Sequence, residues 1–212
     1  MNTERLKNFK GETIVVDNNI LTDFMEITAA LSFDYISILN QLFEKVKIPT
    51  PVLEDENIYD DLGSLKFIEG TIESELGYNI FIELGDSDDN IAKRLSEYDR
   101  IVIAIAGEGD LLAVSNDKPV RDICKNYDIK VTGTLGIIIS AYENGIIEFS
   151  QLKDCLEFLF SEDSSCYLSN YLKSEIYTYY KIWYRNNKIT TSTGVIKFSG
   201  GIFLFQFNKG LT

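Results

Sequence analysis

The run Thr13-Ile14-Val15-Val16 ends on Asp17 and opens directly into Asn18-Asn19-Ile20-Leu21. A short β-rich run without polar alternation suits a strand buried on both faces, as in a sheet covered by helices. In such open sheets ligands bind beyond the carboxyl ends of parallel strands. An acid at that position therefore faces a ligand and not the core. The ordinary alternative is that Asp17 only ends the strand while Asn19 caps the following helix.

The rest of the chain alternates in the same way. After the first strand, the periodicity predicts helices over 20–32 and 33–45, a second strand over 46–48 stopped by Pro49 and Pro51, and an acidic helix over 52–62. A further helix through Glu75, a third strand over 78–84 and a helix over 87–106 broken near Ser96 follow. Then come a fourth strand over 111–115, a helix over 119–126, a fifth strand over 129–132 and an apolar helix over Thr134–Glu143 stopped by Asn144-Gly145. Strands separated by helical segments imply crossover units and a parallel sheet of about five strands, with helices on both faces.

Composition narrows the chemistry. The chain contains no histidine, which excludes Ser-His-Asp and Cys-His nucleophile activation and His-ligated zinc. Hydrolysis would have to use carboxylates, lysine or a hard metal ion held by oxygen. Cys124, Cys155 and Cys166 are widely spaced without a CxxC pair, and read as free thiols. The N-terminal stretch lacks the apolar core of a signal peptide, and no run approaches the ~20 apolar residues of a membrane span, so a cytoplasmic protein is expected. Charge is uneven: residues 1–150 carry 13 Lys/Arg against 28 Asp/Glu, while 151–212 carry 7 against 5. So acidic a body repels nucleic acid at long range, unless metal ions or a local basic strip handle the phosphates.

Other acids fall at similar places. Asp117 follows the fourth strand, and its ordinary role would be to cap a helix with Pro119 in the first turn. Asp99 completes the capping-box pattern Ser96-Glu97-Tyr98-Asp99. The Glu54-Asp55-Glu56 cluster stands in a first helical turn, where acids favour the helix dipole.

Taken in order, these segments resemble the PIN-domain family of metal-dependent ribonucleases over residues 12–148. Val15-Val16-Asp17-Asn18-Asn19 is similar to its opening motif, and Val52-Leu53-Glu54-Asp55 to its second, in which the acid is usually Glu. Ser96-Glu97-Tyr98-Asp99 resembles the third acidic helix, and Ser115-Asn116-Asp117 the fourth motif. Val131-Thr132-Gly133-Thr134-Leu135 and Ala141-Tyr142-Glu143-Asn144-Gly145 resemble the closing strand and helix of a prokaryotic subgroup.

The resemblance implies strand order 3-2-1-4-5, with Asp17, Asp55, Asp99 and Asp117 as a catalytic set binding Mg²⁺ or Mn²⁺ for RNA cleavage. Four carboxylates in one pocket repel one another unless a cation neutralises them, and an all-oxygen site suits a hard divalent ion. Asn19, Glu54, Ser115 and Asn116 are expected in support, and Lys118 or Arg121 could meet a phosphate. Many small relatives are toxins paired with an inhibitor, so the resemblance implies an antitoxin-like partner, while the aromatic C-terminal region allows a homodimer. The rival reading is an acidic module of the same fold that binds without chemistry. A haloacid-dehalogenase-type phosphatase would need a second Asp where this chain has Asn19, and a Walker-type enzyme a Gly-rich loop that is absent.

Two domains are expected, 1–148 and a C-terminal extension 149–212. In that extension a helix carrying Tyr171, Tyr177, Trp183 and Tyr184 precedes a β-rich run over 195–207. It reads as an arm packing on the body, a dimer or inhibitor surface, or a strip in which Lys181, Arg185 and Lys188 guide RNA.

Overall fold

Ile14, Val15 and Val16 are all fully buried. Burial on both faces of a strand requires layers above and below it, each such side chain contributing about 1.5–3 kcal/mol. In a computed structural model of the chain, β1 (Thr13–Val16) is accordingly the central strand of a five-stranded sheet. The structure describes residues 9–54, the backbone of 55 and 56, residues 62–166 and 168–180, and the backbone of 197–198 and 201–202.

The other strands are β2 (Lys45–Pro49), β3 (Ile68–Gly70), β4 (Leu112–Val114) and β5 (Val131–Thr132). Their order is β3-β2-β1-β4-β5 and every pairing is parallel. In register, Ile14 stands beside Val46 on one side and Leu112 on the other. The order reverses between β1 and β4, which places the ends of those two strands at the switch point of the sheet.

Helix α1 (Asn18–Leu31) follows β1 and ends at Ser32, which adopts left-handed backbone with φ 54°. The helix expected over 33–45 is shorter: α2 (Ser37–Leu42) stops as Phe43 becomes extended, and Lys45 already belongs to β2. Helix α3 (Thr50–Glu56) departs from the Pro49-Thr50-Pro51 exit, and the remainder of that expected helix lies outside the described residues.

The third strand is not where the alternation placed it. Residues 78–84 lie within helix α4 (Glu75–Asp86), and β3 occupies Ile68–Gly70, where a helix was expected. The reason is geometric: residues four apart share a helix face. Ile80 and Leu84 are buried, whereas Tyr78 and Ile82 are each 55% exposed on the other side. Ser74 caps α4 by accepting from Gly77 N, and the Glu108 carboxylate accepts from the backbone N–H groups of Glu73 and Ser74.

A short 3₁₀ turn (Ala92–Arg94) leads to α5 (Glu97–Glu108), which is buried without a break from Ile101 to Ala106. Helices α6 (Lys118–Asn126) and α7 (Thr134–Glu143) follow β4 and β5. Helix α8 (Phe149–Leu159) packs on α1 and α7. One compact unit runs to Lys173 and a second begins at Ser174. Helix α9 (Asn170–Tyr179) spans that boundary, and β6 (Lys197–Phe198) pairs antiparallel with β7 (Gly201–Ile202) in the second unit. Trp183, Tyr184, Lys181, Arg185 and Lys188 lie outside the described residues. Among the described residues, no helix is long and apolar enough to cross a membrane. The three cysteines are buried and unpaired.

Candidate metal centre

The sheet ladder runs on past the strands and fixes the two residues that follow them. Asp17 N donates to Val114 O at 3.1 Å, and Ser115 N donates to Thr132 O at 3.0 Å. Asp17 and Asp117 both stand at the N-cap positions of helices, yet neither side chain makes a capping hydrogen bond. Their carboxylates are directed elsewhere. Asn19 lies inside α1, so the cap expected of it falls to Asp17.

Asp17, Asp99 and Asp117 each bring a carboxylate oxygen to one place, all within 4.8 Å of one another. Asp17 is buried, Asp99 sits at the buried edge of α5, and Asp117 is exposed. Asp99 is presented by a reciprocal capping box: Ser96 N donates to Asp99 Oδ2 at 2.7 Å, and Asp99 N donates to Ser96 Oγ at 3.1 Å. Helix capping and membership of the cluster are therefore one arrangement at this residue. Ser115 Oγ and Asn19 Nδ2 each donate to Asp17 Oδ2 at 2.9 Å, and Asp117 N donates to Ser115 Oγ at 3.2 Å.

These donors do not offset the crowding of charge. Burial, and then the neighbouring Asp99 carboxylate, push Asp17 up to about 6 from an ordinary 3.8, against the hydrogen bond from Ser115. Asp117 is raised by the same two causes, burial first. No salt bridge among the described residues reaches any of the three. A cation would supply what the protein does not, and three convergent carboxylate oxygens fit a hard divalent ion such as Mg²⁺ or Mn²⁺. The Oδ1 atoms of Asn18 and Asn19 are buried without a partner, adding two neutral acceptors nearby.

Of the other residues expected here, Glu54 is exposed on α3, and the side chain of Asp55 lies outside the described residues. Lys118 is ion-paired with Asp122 one helical turn away, and Arg121 is exposed on α6. Asn116 points away from the cluster. Its Nδ2 donates to Asp23 Oδ2 at 2.6 Å and to Thr134 Oγ1 at 3.0 Å, and its Oδ1 accepts from Thr134 N at 3.1 Å.

Asp23 was not singled out from the sequence, although a signal was there. It lies on the stripe of α1 that buries Ile20, Phe24 and Ile27, where a charged side chain is out of place. It is 3% exposed and also receives the Thr134 hydroxyl hydrogen bond. A cleft of about 450 Å³ runs from Asp117 past Asn18 and Thr22 to Asp23 and Cys166.

Residues 13–180 match the model of the family DUF3368, described as a PIN domain. No curated protein matches the chain. The matched span holds all five parallel strands and the three converging carboxylates. The chain belongs to the PIN-domain family.

Proposed function

We propose that this protein is a metal-dependent endoribonuclease in which Asp17, Asp99 and Asp117 hold Mg²⁺ or Mn²⁺, with Asp55 completing the acidic set from α3. PIN domains are generally nucleases, and one observation supports the reading above all. Three carboxylates lie within 4.8 Å of one another with no cation from the described residues between them. A divalent ion there would supply Lewis acidity toward a phosphodiester and offset charge developing on it, which histidine is not needed to do.

The chain's own residues would set the geometry. Ser115 and Asn19 orient the Asp17 carboxylate, and the capping box orients Asp99. Lys118 lines the cleft and Arg121 is exposed one turn further along α6, and both would meet substrate phosphates. Lys118 would first leave Asp122, and an exposed ion pair of that kind costs little to open. RNA as substrate and an antitoxin-like inhibitor as partner belong to this proposal as what the resemblance to PIN-domain ribonucleases implies.

Cleavage of single-stranded RNA in Mn²⁺, with and without chelator, tests the reading. Asp17→Asn and Asp117→Asn remove charge with little change of volume. Each is expected to lower the rate more than about 100-fold, beyond what loss of an outer hydrogen-bond partner costs, with far-UV circular dichroism unchanged. Full activity in Asp17→Asn would refute it. Absence of Mn²⁺-dependent cleavage by the wild type would favour the non-catalytic module.

A further inference from the structure

We infer that Asp23, Asn116 and Thr134 are positioning residues for the metal centre: their closed hydrogen-bonded triangle holds the 115–117 loop so that Asp117 faces Asp17. This rests on the reading of Asp17, Asp99 and Asp117 as metal ligands.

Each of the three side chains touches the other two. Asn116 Nδ2 donates to Asp23 Oδ2 and to Thr134 Oγ1, and the Thr134 hydroxyl donates to the same Asp23 oxygen. The Thr134 N–H returns to Asn116 Oδ1. Asn116 Nδ2 also reaches Cys166 Sγ at 3.5 Å. The triangle ties together three elements that have no sequence continuity: α1, the β4–α6 loop and the start of α7. A Cβ on Gly133 would collide with Asn116 Oδ1, so glycine before Thr134 makes room for the arrangement.

Such a network is a costly way to fill a core. Well-packed apolar residues of similar volume are often at least as stabilising as buried charge. What it supplies here is position. Asp117 is exposed and its side chain makes no capping bond; a hydrogen bond from Asn19 meets its carboxylate, and the backbone of the loop sets where that carboxylate stands. That backbone is held on one side by the hydrogen bond from Asp117 N to Ser115 Oγ, and on the other by the clamped side chain of Asn116. Releasing Asn116 frees the middle residue of the loop and lets Asp117 withdraw from Asp17 and Asp99.

The test is calorimetric titration of the full-length chain with Mn²⁺, at a temperature where each variant is folded. Asn116→Ala and Thr134→Val should weaken Mn²⁺ binding about tenfold or more, the usual effect of removing a group that orients a ligand. Thr134→Ser keeps the hydroxyl and the N–H and should bind as the wild type does. Ser140→Ala serves as a stability control: its hydroxyl accepts from Phe9 N at 3.3 Å, also from α7 but outside the triangle. It should lower the melting temperature without changing Mn²⁺ affinity. Wild-type affinity in Asn116→Ala and Thr134→Val, whatever their melting temperatures, would overturn the inference and leave the metal reading standing. Should Asn116→Ala fail to fold, equal affinity in Thr134→Val and Thr134→Ser would overturn it as well. If the wild type itself takes up no Mn²⁺, the metal reading falls and this inference with it.

Discussion

Asp17 and Asp23 are close in sequence and almost equally buried, at 6% and 3% exposure, but their surroundings differ in sign. Burial raises both. For Asp17 the next influence is the Asp99 carboxylate, which raises it further. For Asp23 the next are hydrogen bonds from Thr134, Cys166 and Asn116, which pull it back. Both acids receive donors, but Asp17 also faces the carboxylates of Asp99 and Asp117, whereas three donors dominate around Asp23. Depth of burial therefore does not assign a role to a carboxylate; the groups that face it do.

The largest expected effect separates the two acids by sign of stability. Without metal, Asp23→Ala leaves the Asn116 amide and the Thr134 hydroxyl without their acceptor and should cost about 4 kcal/mol, the scale of two charge-assisted hydrogen bonds. Asp17→Asn removes a repelled charge and should leave the metal-free protein as stable or more so. Urea unfolding in chelator measures both, and two changes of the same sign would break the comparison.

Next in size is the dependence on pH. Asp17 titrates at about 6 in the fold against 3.8 ordinarily, so the folded chain holds that proton more tightly than the unfolded one. The contribution is complete below about pH 4 and is lost as pH rises through about 6, some ~3 kcal/mol in all. Metal-free thermal unfolding should decline over that window. Added Mn²⁺ should stabilise more at pH 7 than at pH 5, because it competes with the proton. In Asp17→Asn the decline should shrink to the part owed to Asp23 and Asp117, both of which are also raised. A wild-type slope of the opposite sign would show that Asp17 is not crowded by charge.

The smallest effect concerns Asp99, which is both cap and cluster member. Ser96→Ala should lose about 1 kcal/mol, as for other N-caps, and loosen the carboxylate it presents. A melting curve with a parallel Mn²⁺ titration reads both. Loss of stability alone would place Asp99 with the structural acids.

Much of this was legible in one dimension because it is local. Strand β1 stops before Asp17 because four β-branched residues, three of them apolar, meet polar ones. Helix α7 runs over Thr134–Glu143 as expected, since Asn144-Gly145 stops it. The Ser96–Asp99 capping box is a contact between residues three apart, and it forms as the pattern implied. The third strand was misplaced because an alternating run also reads as two stripes four residues apart, and packing of Ile80 and Leu84 against α5 decides between them.

What the sequence determined by itself was the alternation of strands and helices outside residues 62–86, the parallel class of sheet, and a set of acids at strand ends and helix starts. Those follow from periodicity and turn chemistry over a few residues. Which acids meet was decided only by the fold. Asp17 and Asp117 are a hundred residues apart and become neighbours because β1 pairs with β4. Asp23 finds Asn116 and Thr134 only because α1, the β4–α6 loop and α7 converge. Coulomb repulsion and hydrogen bonding act over a few ångströms, so the role of a carboxylate depends on distances that no spacing along the chain records.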